Sequence, residues 1–279
     1  MSGGDSRCGA VCFAVAAPWV VDDELWAVIE PLLPVRAPGT PGPARMDDRL
    51  VFQGIPVRAV HRIGWEDLPQ ELGFGSGMTC WRRVRDWQAA GVFEAMHQAM
   101  LTHCHTAGLI DFGRVIADAS HVRAKKRGAA TGPSPVDRRK TGSKHHILTC
   151  GNGLPLAVTP SGANVNDHLM LPELLDRVRP LRGRAGRPRH RIKALIADKG
   201  YAYSRVYADL RQRRITSYIP RRGTRDRVTG RWIVEQSLAL LHQYRRLATR
   251  WERRTDIHQG LLYLAAALIC WRRLRNRTR

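Results

Sequence analysis

The spacing of apolar residues divides the chain into a helical first part and a mixed second part. Up to about residue 110, apolar residues recur every three or four positions, as in helices that bury one face. This pattern predicts helices at Asp22–Leu33, Asp47–His61, Trp65–Leu72, Thr79–Ala90 and Gly91–Leu109. Pro56 is predicted to break or kink the second of them.

Short apolar runs in the second part predict strands. Two of these strands end at Asp118 and Asp198, and three others span His145–Cys150, Leu154–Pro160 and Ile215–Ile219. The predicted helices span Asn166–Val178, Ser204–Arg213, Trp232–Trp251 and Ile257–Arg273. The order strand, strand, strand, helix, strand, helix, strand, helix predicts a mixed α/β sheet flanked by helices. This order is ribonuclease H-like, and in that fold the first and fourth strands are neighbours.

These patterns predict three parts: a disordered extension at residues 1–18, a helical domain at 19–110, and a mixed α/β domain at 111–279. Cys8–Ala17 imitates the apolar segment of a signal peptide, but Asp5 offsets Arg7, so the basic start of such a peptide is missing. Pro34–Pro43 is rich in Pro and Gly and is predicted to be a linker.

The charge of the chain indicates a polyanionic partner. Lys and Arg number 46 against 24 Asp and Glu, which gives a formal net charge of +22. Nucleic acid fits this surplus better than a membrane, because no apolar run approaches the ~20 residues that span a bilayer. The six cysteines form no CxxC pair, which argues against a zinc knuckle or a disulfide framework and fits a reducing cytoplasm.

Three carboxylates stand out in this basic chain. Asp118 and Asp198 each end a buried strand, and Glu235 lies at the start of a long helical pattern. A carboxylate at the end of a buried strand is costly unless a cation meets it, and two side by side repel unless a metal lies between them. Together they suggest a divalent-metal site that acts on nucleic acid.

Basic side chains near these carboxylates and in the helical part are candidate DNA contacts. A helix, the glycine turn Gly73–Gly77 and a basic helix have the outline of a helix-turn-helix, although an Arg-rich face is also typical of a solvated surface. The segment His121–Ser143 is interpreted as a mobile loop, either a solvated linker or an arm that follows phosphates. The candidate contacts are Arg82, Arg83, Arg85, Lys125, Lys126, Lys144, His242, Arg245 and Arg246.

His97, His103 and His105 are a weaker candidate for a metal site. They contain no i, i+4 pair facing a common point, so surface histidines are the preferred interpretation.

Five blocks of sequence, in this order, resemble the DDE transposases of bacterial insertion sequences, in the compact subgroup without a large insertion before the glutamate. The resemblance runs from about Trp19 to the C-terminus. The blocks are DELWAVIEPLLP with WEDLPQELGFGSGMTCWRRVRDWQAAGVF, IADASHVRA, GPSPVDRRKTGSKHHIL with GNGLPLAVTPSGANVND, ADKGY, and RWIVEQSLALLHQYRRLATRWERR.

The resemblance implies a ribonuclease H-like catalytic domain in which Asp118, Asp198 and Glu235 hold two Mg²⁺ or Mn²⁺ ions. It implies cleavage at the element's ends and strand transfer into target DNA, with double-stranded DNA as partner and at least a homodimer during synapsis. A cytoplasmic, nucleoid-associated protein is expected.

Departures from the family pattern leave a second function open. Ala119 stands where Gly is usual and Gln236 where Arg is usual, whereas His242 stands where a polar or basic residue is common and could still meet a phosphate. With Pro56, these changes are compatible with an impaired copy that only represses its own element by binding DNA. A metal nuclease without strand transfer is a third interpretation.

Overall fold

The computed structural model describes residues 20–35, 39, 45–61, 63–223 and 230–278. The predicted extension at residues 1–18 and most of the predicted linker Pro34–Pro43 lie outside them. The division into domains at residue 110 stays a prediction. Described helices and strands on both sides of that residue contribute to one hydrophobic core.

Helices make up most of the described chain before residue 110 and flank the sheet after it. The α-helices among the described residues are α1 (Asp23–Ile29), α2 (Asp48–His61), α3 (Gly77–Ala89), α4 (Val92–Thr106), α5 (Leu171–Asp176), α6 (Ser204–Gln212), α7 (Trp232–Gln243), α8 (Arg245–Ala248) and α9 (Thr255–Thr278). The long C-terminal helix α9 packs along α4 and against strand β4, so it joins the helical part to the sheet.

The strands form one mixed sheet. They are β1 (Val115–Ala124), β2 (Gly132–Pro133), β3 (Thr141–Cys150), β4 (Pro155–Gly162), β5 (Ala194–Ile196), β6 (Thr216–Tyr218) and β7 (Thr249–Arg250). Strand β3 pairs antiparallel with β1 and β4, whereas β5 pairs parallel with β1 and β6. The order β4-β3-β1-β5-β6 confirms the ribonuclease H-like arrangement.

Strand β1 is longer than predicted. Asp118 lies within it rather than at its end, because β1 continues to Ala124 as an antiparallel partner of β3. The predicted mobile loop His121–Ser143 is accordingly shorter, since its first and last residues belong to β1 and β3. The parallel pairing with β5 does stop before Asp118, at Ile116. Asp118 therefore lies just beyond the end of that ladder.

Two helices of the helical part differ from their predictions. Helix α2 is not broken at Pro56 but continues to His61, because Val51, Phe52 and Ile55 on the same helix are fully buried and their packing outweighs the lost backbone hydrogen bond. The predicted helix Trp65–Leu72 is only a 3-10 turn at Gln70–Leu72.

Two predicted helices in the catalytic part are too long. The helical pattern at Trp232–Trp251 is interrupted at Tyr244, whose backbone is extended, and its last residues form β7 beside the end of β1. The pattern at Asn166–Val178 becomes a 3-10 turn followed by α5.

A fully buried arginine fixes the connection after β1. The guanidinium of Arg250, in β7, donates to the carbonyl oxygens of Ala129 (2.7 Å) and Ala130 (2.8 Å) and to Ser143 Oγ (2.8 Å). Buried charges are tolerated where hydrogen bonds replace their hydration. Arg250 thus ties the loop between β1 and β2 to strand β3.

A second buried charge joins the helical part to the catalytic part. Arg58 of α2 lies 3.2 Å from Oε1 of Glu252, and both side chains are about 6–7% exposed. The other carboxylate oxygen of Glu252 faces Nδ1 of His258 at 3.5 Å, and Nε2 of His258 lies 2.8 Å from Nε2 of His145 in β3. Burial alone would raise the pKa of Glu252, but the His258 ring and Arg58 hold it at about 2.

Glu252→Gln should therefore destabilise the fold. The change leaves Arg58 buried without its anion, which typically costs about 3–5 kcal/mol. Because the folded-state pKa of Glu252 is depressed, its contribution is present above the unfolded value near 4.5 and is lost as pH falls towards about 2. Urea unfolding at pH 7 and pH 3 should show a smaller deficit for the variant at pH 3. Asp256→Asn, at an exposed ion pair with Arg254, is the control. Equal deficits at both pH values would contradict the account.

Candidate functional site

The register of two parallel strands brings Asp118 and Asp198 together. Ile116 of β1 pairs with Ile196 of β5, and each aspartate lies two residues further along its own chain segment. Each aspartate is anchored through one of its own carboxylate oxygens. Oδ1 of Asp118 accepts the N–H of Ala119 (2.8 Å), and Oδ1 of Asp198 accepts the N–H of Gly200 (2.8 Å). The second oxygen of each remains available to a cation.

Glu235 joins the aspartates from helix α7. It lies in the first turn, where the positive end of the helix dipole favours a carboxylate. Helix α7 packs against β1 and β3 and is held to the β3–β4 turn by Ser237, whose hydroxyl donates to the carbonyl oxygen of Gly153 at 2.8 Å. The three carboxylates range from nearly buried to open, with side chains 11%, 36% and 58% exposed for Asp118, Asp198 and Glu235.

One guanidinium meets all three carboxylates. Arg231 lies with its nitrogens 3.3 Å from Asp118 Oδ2, 3.8 Å from Asp198 Oδ2 and 3.6 Å from Glu235 Oε1. The sequence had indicated that a cation was needed here, but Arg231 itself was missed. Its position four residues before Glu235, the spacing of a helical ion pair, is the signal that could have found it.

Burial and the charge of Arg231 shift the pKa of Asp118 in opposite directions. Burial raises the pKa of Asp118, and the charge of Asp198 raises it too, whereas the Ala119 N–H and Arg231 act in the opposite direction. Tyr201 lies beneath the site with its ring fully buried. Burial, followed by the charges of Asp167, Asp118 and Asp198, raises the pKa of its hydroxyl well above the ordinary value.

His242 lies at the edge of the same site. It is seven residues after Glu235 on α7, and its Nε2 lies 3.1 Å from Oγ of Ser120, which follows Asp118 by two residues. Burial lowers the pKa of His242, which favours the neutral ring. Ser120 was not singled out from the sequence, because a lone serine on a strand carries no motif.

The structure separates the candidate DNA contacts into open and enclosed side chains. Arg82, Lys125, Lys126 and Arg245 are exposed, Arg85 is half-buried and pairs with its neighbour Asp86, and His242 is half-buried.

Three of the candidates are not placed as predicted. Lys144 is buried, and its Nζ binds Asp167 Oδ1 (2.8 Å) and the Val165 carbonyl (2.9 Å). Arg246 is buried and donates to the Ile63 carbonyl. Arg83 is largely buried and pairs with Asp48 of α2 at 3.0 Å. These cations stabilise the fold, and their partners lie too far along the chain to be recognised from spacing.

The histidines of α4 are also placed differently from the prediction. His97 and His105 are buried rather than on the surface, and His97 Nε2 lies 2.8 Å from the Pro155 carbonyl oxygen. Burial lowers the pKa of His97 to about 4. His103 is exposed.

The donor set suits a hard divalent cation. Mg²⁺ and Mn²⁺ prefer carboxylate oxygens, and each aspartate directs one free oxygen to the same place as Glu235. With Arg231 between them, the carboxylates are spaced for a guanidinium, and the described residues contain no cluster of three His, Cys, Asp or Glu side chains close enough to hold a metal ion. The chemistry of the residues fits a divalent ion, provided that Arg231 moves aside.

Two family models match the chain over adjoining segments. Residues 21–97 match the model described as "Putative transposase of IS4/5 family", and residues 111–270 match the model "Transposase DDE domain". The fold and its carboxylate cluster, preceded by a helical region, define a DDE transposase of the ribonuclease H-like class. The chain belongs to the DDE transposases, and domains of this class use divalent metal ions.

Curated relatives carry matching names. One from Burkholderia cepacia, "Putative transposase for insertion sequence element IS402", is 48% identical over 150 residues, which cover 52% of this chain and 71% of the relative. A second from the same organism, "Insertion element IS402 uncharacterized 16.2 kDa protein", is 44% identical over 119 residues, covering 42% of this chain and 81% of the relative. In the part of the chain that the structure describes, no helix is both long and apolar enough to cross a membrane.

Arg231→Gln should make the stability of the fold more responsive to divalent ions. Without the guanidinium the three carboxylates repel one another. Because Arg231 is partly exposed, the free energy of unfolding should fall by about 1 kcal/mol or less in the presence of EDTA. Thermal unfolding with MnCl₂ should restore the variant and stabilise it more than the wild type, since Mn²⁺ no longer competes with Arg231.

Arg213→Gln is the matched control, because Arg213 bridges Asp176 and Asp209 away from the site. A Mn²⁺ response of Arg231→Gln no larger than that of the wild type would contradict the competition.

Proposed function

We propose that this chain is an active transposase that binds the ends of its insertion sequence, cleaves DNA strands there and transfers them into target DNA. Asp118, Asp198 and Glu235 would hold two Mg²⁺ or Mn²⁺ ions. The observation that carries the proposal is the convergence of these three carboxylates on one cation from two matched strand positions and a helix start.

Held by these carboxylates, such ions would supply activation of water or of a DNA 3′-hydroxyl and stabilisation of the leaving oxygen of a phosphodiester. The protein residues have separate tasks. Asp118 and Asp198 are each held by a backbone N–H, so their free oxygens keep their direction without further ordering. Arg231 has to leave the carboxylates and then lies beside the site as a free donor for a phosphate. No covalent bond forms between protein and DNA in this scheme.

DNA binding is assigned to residues 19–110 and catalysis to residues 111–279. Arg82 on α3 and Lys125, Lys126 and Arg245 near the end of β1 are exposed cations suited to phosphates. Synapsis of two ends requires at least a dimer on DNA, and a nucleoid-associated protein in the cytoplasm fits this partner.

The impaired repressor is the second candidate, and the structure weakens the case for it. Pro56 is accommodated within a continuous α2. Ala119 meets Asp118 through its backbone N–H, which any residue but proline supplies. Gln236 is exposed on α7. These three departures thus leave the carboxylates and their anchors in place.

Asp118→Asn should abolish strand cleavage and leave duplex binding within about twofold, because affinity depends mainly on Lys and Arg contacts with phosphates. The assay uses a duplex from the DNA flanking the gene, where matching inverted repeats are expected, with Mn²⁺. Asp176→Asn, an exposed carboxylate on α5, should cleave at the wild-type rate.

Cleavage by Asp118→Asn at the wild-type rate would disprove the assignment of the site. A wild-type protein that binds this duplex without ever cutting it would instead support the repressor.

A further inference from the structure

A cleft lined by three tryptophans lies where the helical part meets the catalytic part. Trp65, Trp81 of α3 and Trp251, just after β7, line a cavity of about 780 Å³. All three rings are partly exposed. Lys126 and Arg253, both exposed, lie on its rim. No element of the proposed strand-cleavage site uses this cleft.

Each indole ring of the cleft has a cation near its face. The guanidinium carbon of Arg58 lies 4.0 Å from the centre of the Trp65 ring, and that of Arg85 lies 5.6 Å from Trp81. Lys125 Nζ lies 5.9 Å from the Trp251 ring. Flat aromatic faces combined with cations are the elements of sites that bind unpaired nucleic acid strands, in which bases stack and phosphates are neutralised.

Hydrogen-bond donors of the cleft are left unused by the protein. Nε1 of Trp251 and Nε of Arg58 are both buried, and neither has a hydrogen-bond partner among the described residues. An unmet buried donor typically costs about 1–3 kcal/mol. These unmet donors lie within the wall of the cleft, beneath the surface that a ligand would contact.

The cleft is lined both by α3, the basic helix of the predicted helix-turn-helix, and by the segment that follows the end of β1. Trp81 belongs to α3, and Lys126 follows the end of β1. Six residues of extended strand separate Asp118 from Ala124, which is about 20 Å at ~3.3 Å per residue. DNA bound at α3 and cut at Asp118 would pass this region, and the cleft has the size of a pocket for a small ligand rather than for a duplex.

The cleft carries carboxylates as well as cations. Glu66 and Asp67 also line it, and Asp67 Oδ2 accepts the N–H of Gly64 at 3.1 Å. Carboxylates repel phosphate but accept hydrogen bonds from the amino groups of bases. The phosphate of a bound nucleotide is therefore expected at Lys126 and Arg253 rather than at these carboxylates.

We propose that this cleft binds one or two unpaired nucleotides of a DNA strand, with a base stacked on the indoles and its phosphates at Lys126 and Arg253. The proposal rests on the proposed function in that DNA is the partner. It adds a site for single-stranded DNA that is separate from the carboxylates.

The test compares the binding of fluorescein-labelled oligothymidylate and of labelled duplex by anisotropy, using the full chain. Trp81→Leu should bind oligothymidylate about tenfold more weakly, since stacking on one aromatic ring is worth about that factor or more. Its duplex affinity should change by less than about twofold. Trp271→Leu, which lines a different cavity, should bind both DNAs as the wild type does.

Unchanged oligothymidylate affinity in Trp81→Leu, or an equal loss in Trp271→Leu, would overturn the inference. Because the variant is informative only when folded, photo-crosslinking of the wild type to oligothymidylate containing 5-bromodeoxyuridine provides a second measurement. Adducts at Trp65, Trp81 or Trp251 are expected, and adducts confined to other peptides would overturn the inference.

The two proposals fail in different ways. A wild-type protein that cuts duplex while its cleft variant loses nothing contradicts this inference alone. A wild-type protein that binds neither oligothymidylate nor duplex contradicts the proposed function as well.

Discussion

The rest of the site depends on one electrostatic constraint: three carboxylates that face a common point require a cation there. Pairing Ile116 with Ile196 in the sheet places Asp118 and Asp198 at matched positions, where their charges repel. Helix α7 adds Glu235, and the start of the same helix supplies Arg231, whose charge offsets this repulsion. A guanidinium and a divalent ion satisfy the same need, so the arrangement is compatible with an exchange between them. The fold can therefore keep its carboxylates together before any metal is bound.

The same principle holds the two parts of the chain together away from the site. Glu252 lies between Arg58 of α2 and His258 of α9, and Arg250 is enclosed by carbonyl oxygens of the loop after β1. Each of these charges is buried, and specific partners replace most of its hydration. The contact of Arg58 with Glu252 connects α2 to the segment after β7. The tryptophan cleft lies at this junction.

Much of the fold was predictable from local pattern, whereas the partners of the charged residues were not. The strand order followed from apolar runs and turn residues, and it was sufficient to place Asp118 beside Asp198. Pro56 was misinterpreted because burial of neighbouring side chains is a tertiary effect. Lys144 and Arg246 resemble surface cations in sequence, and only the folded chain brings Asp167 and the Ile63 carbonyl to them. The short strand β7 was missed because its pairing with β1 joins residues more than 120 positions apart.

The central claim is that Asp118, Asp198 and Glu235 form a divalent-metal site that Arg231 occupies when no metal is bound. Diffraction from crystals of the full chain soaked with MnCl₂, collected at the manganese absorption edge, tests this most directly. The account predicts anomalous density between the three carboxylates, with the Arg231 guanidinium displaced from them. Manganese bound only elsewhere, with Arg231 still in contact with all three carboxylates, would contradict it.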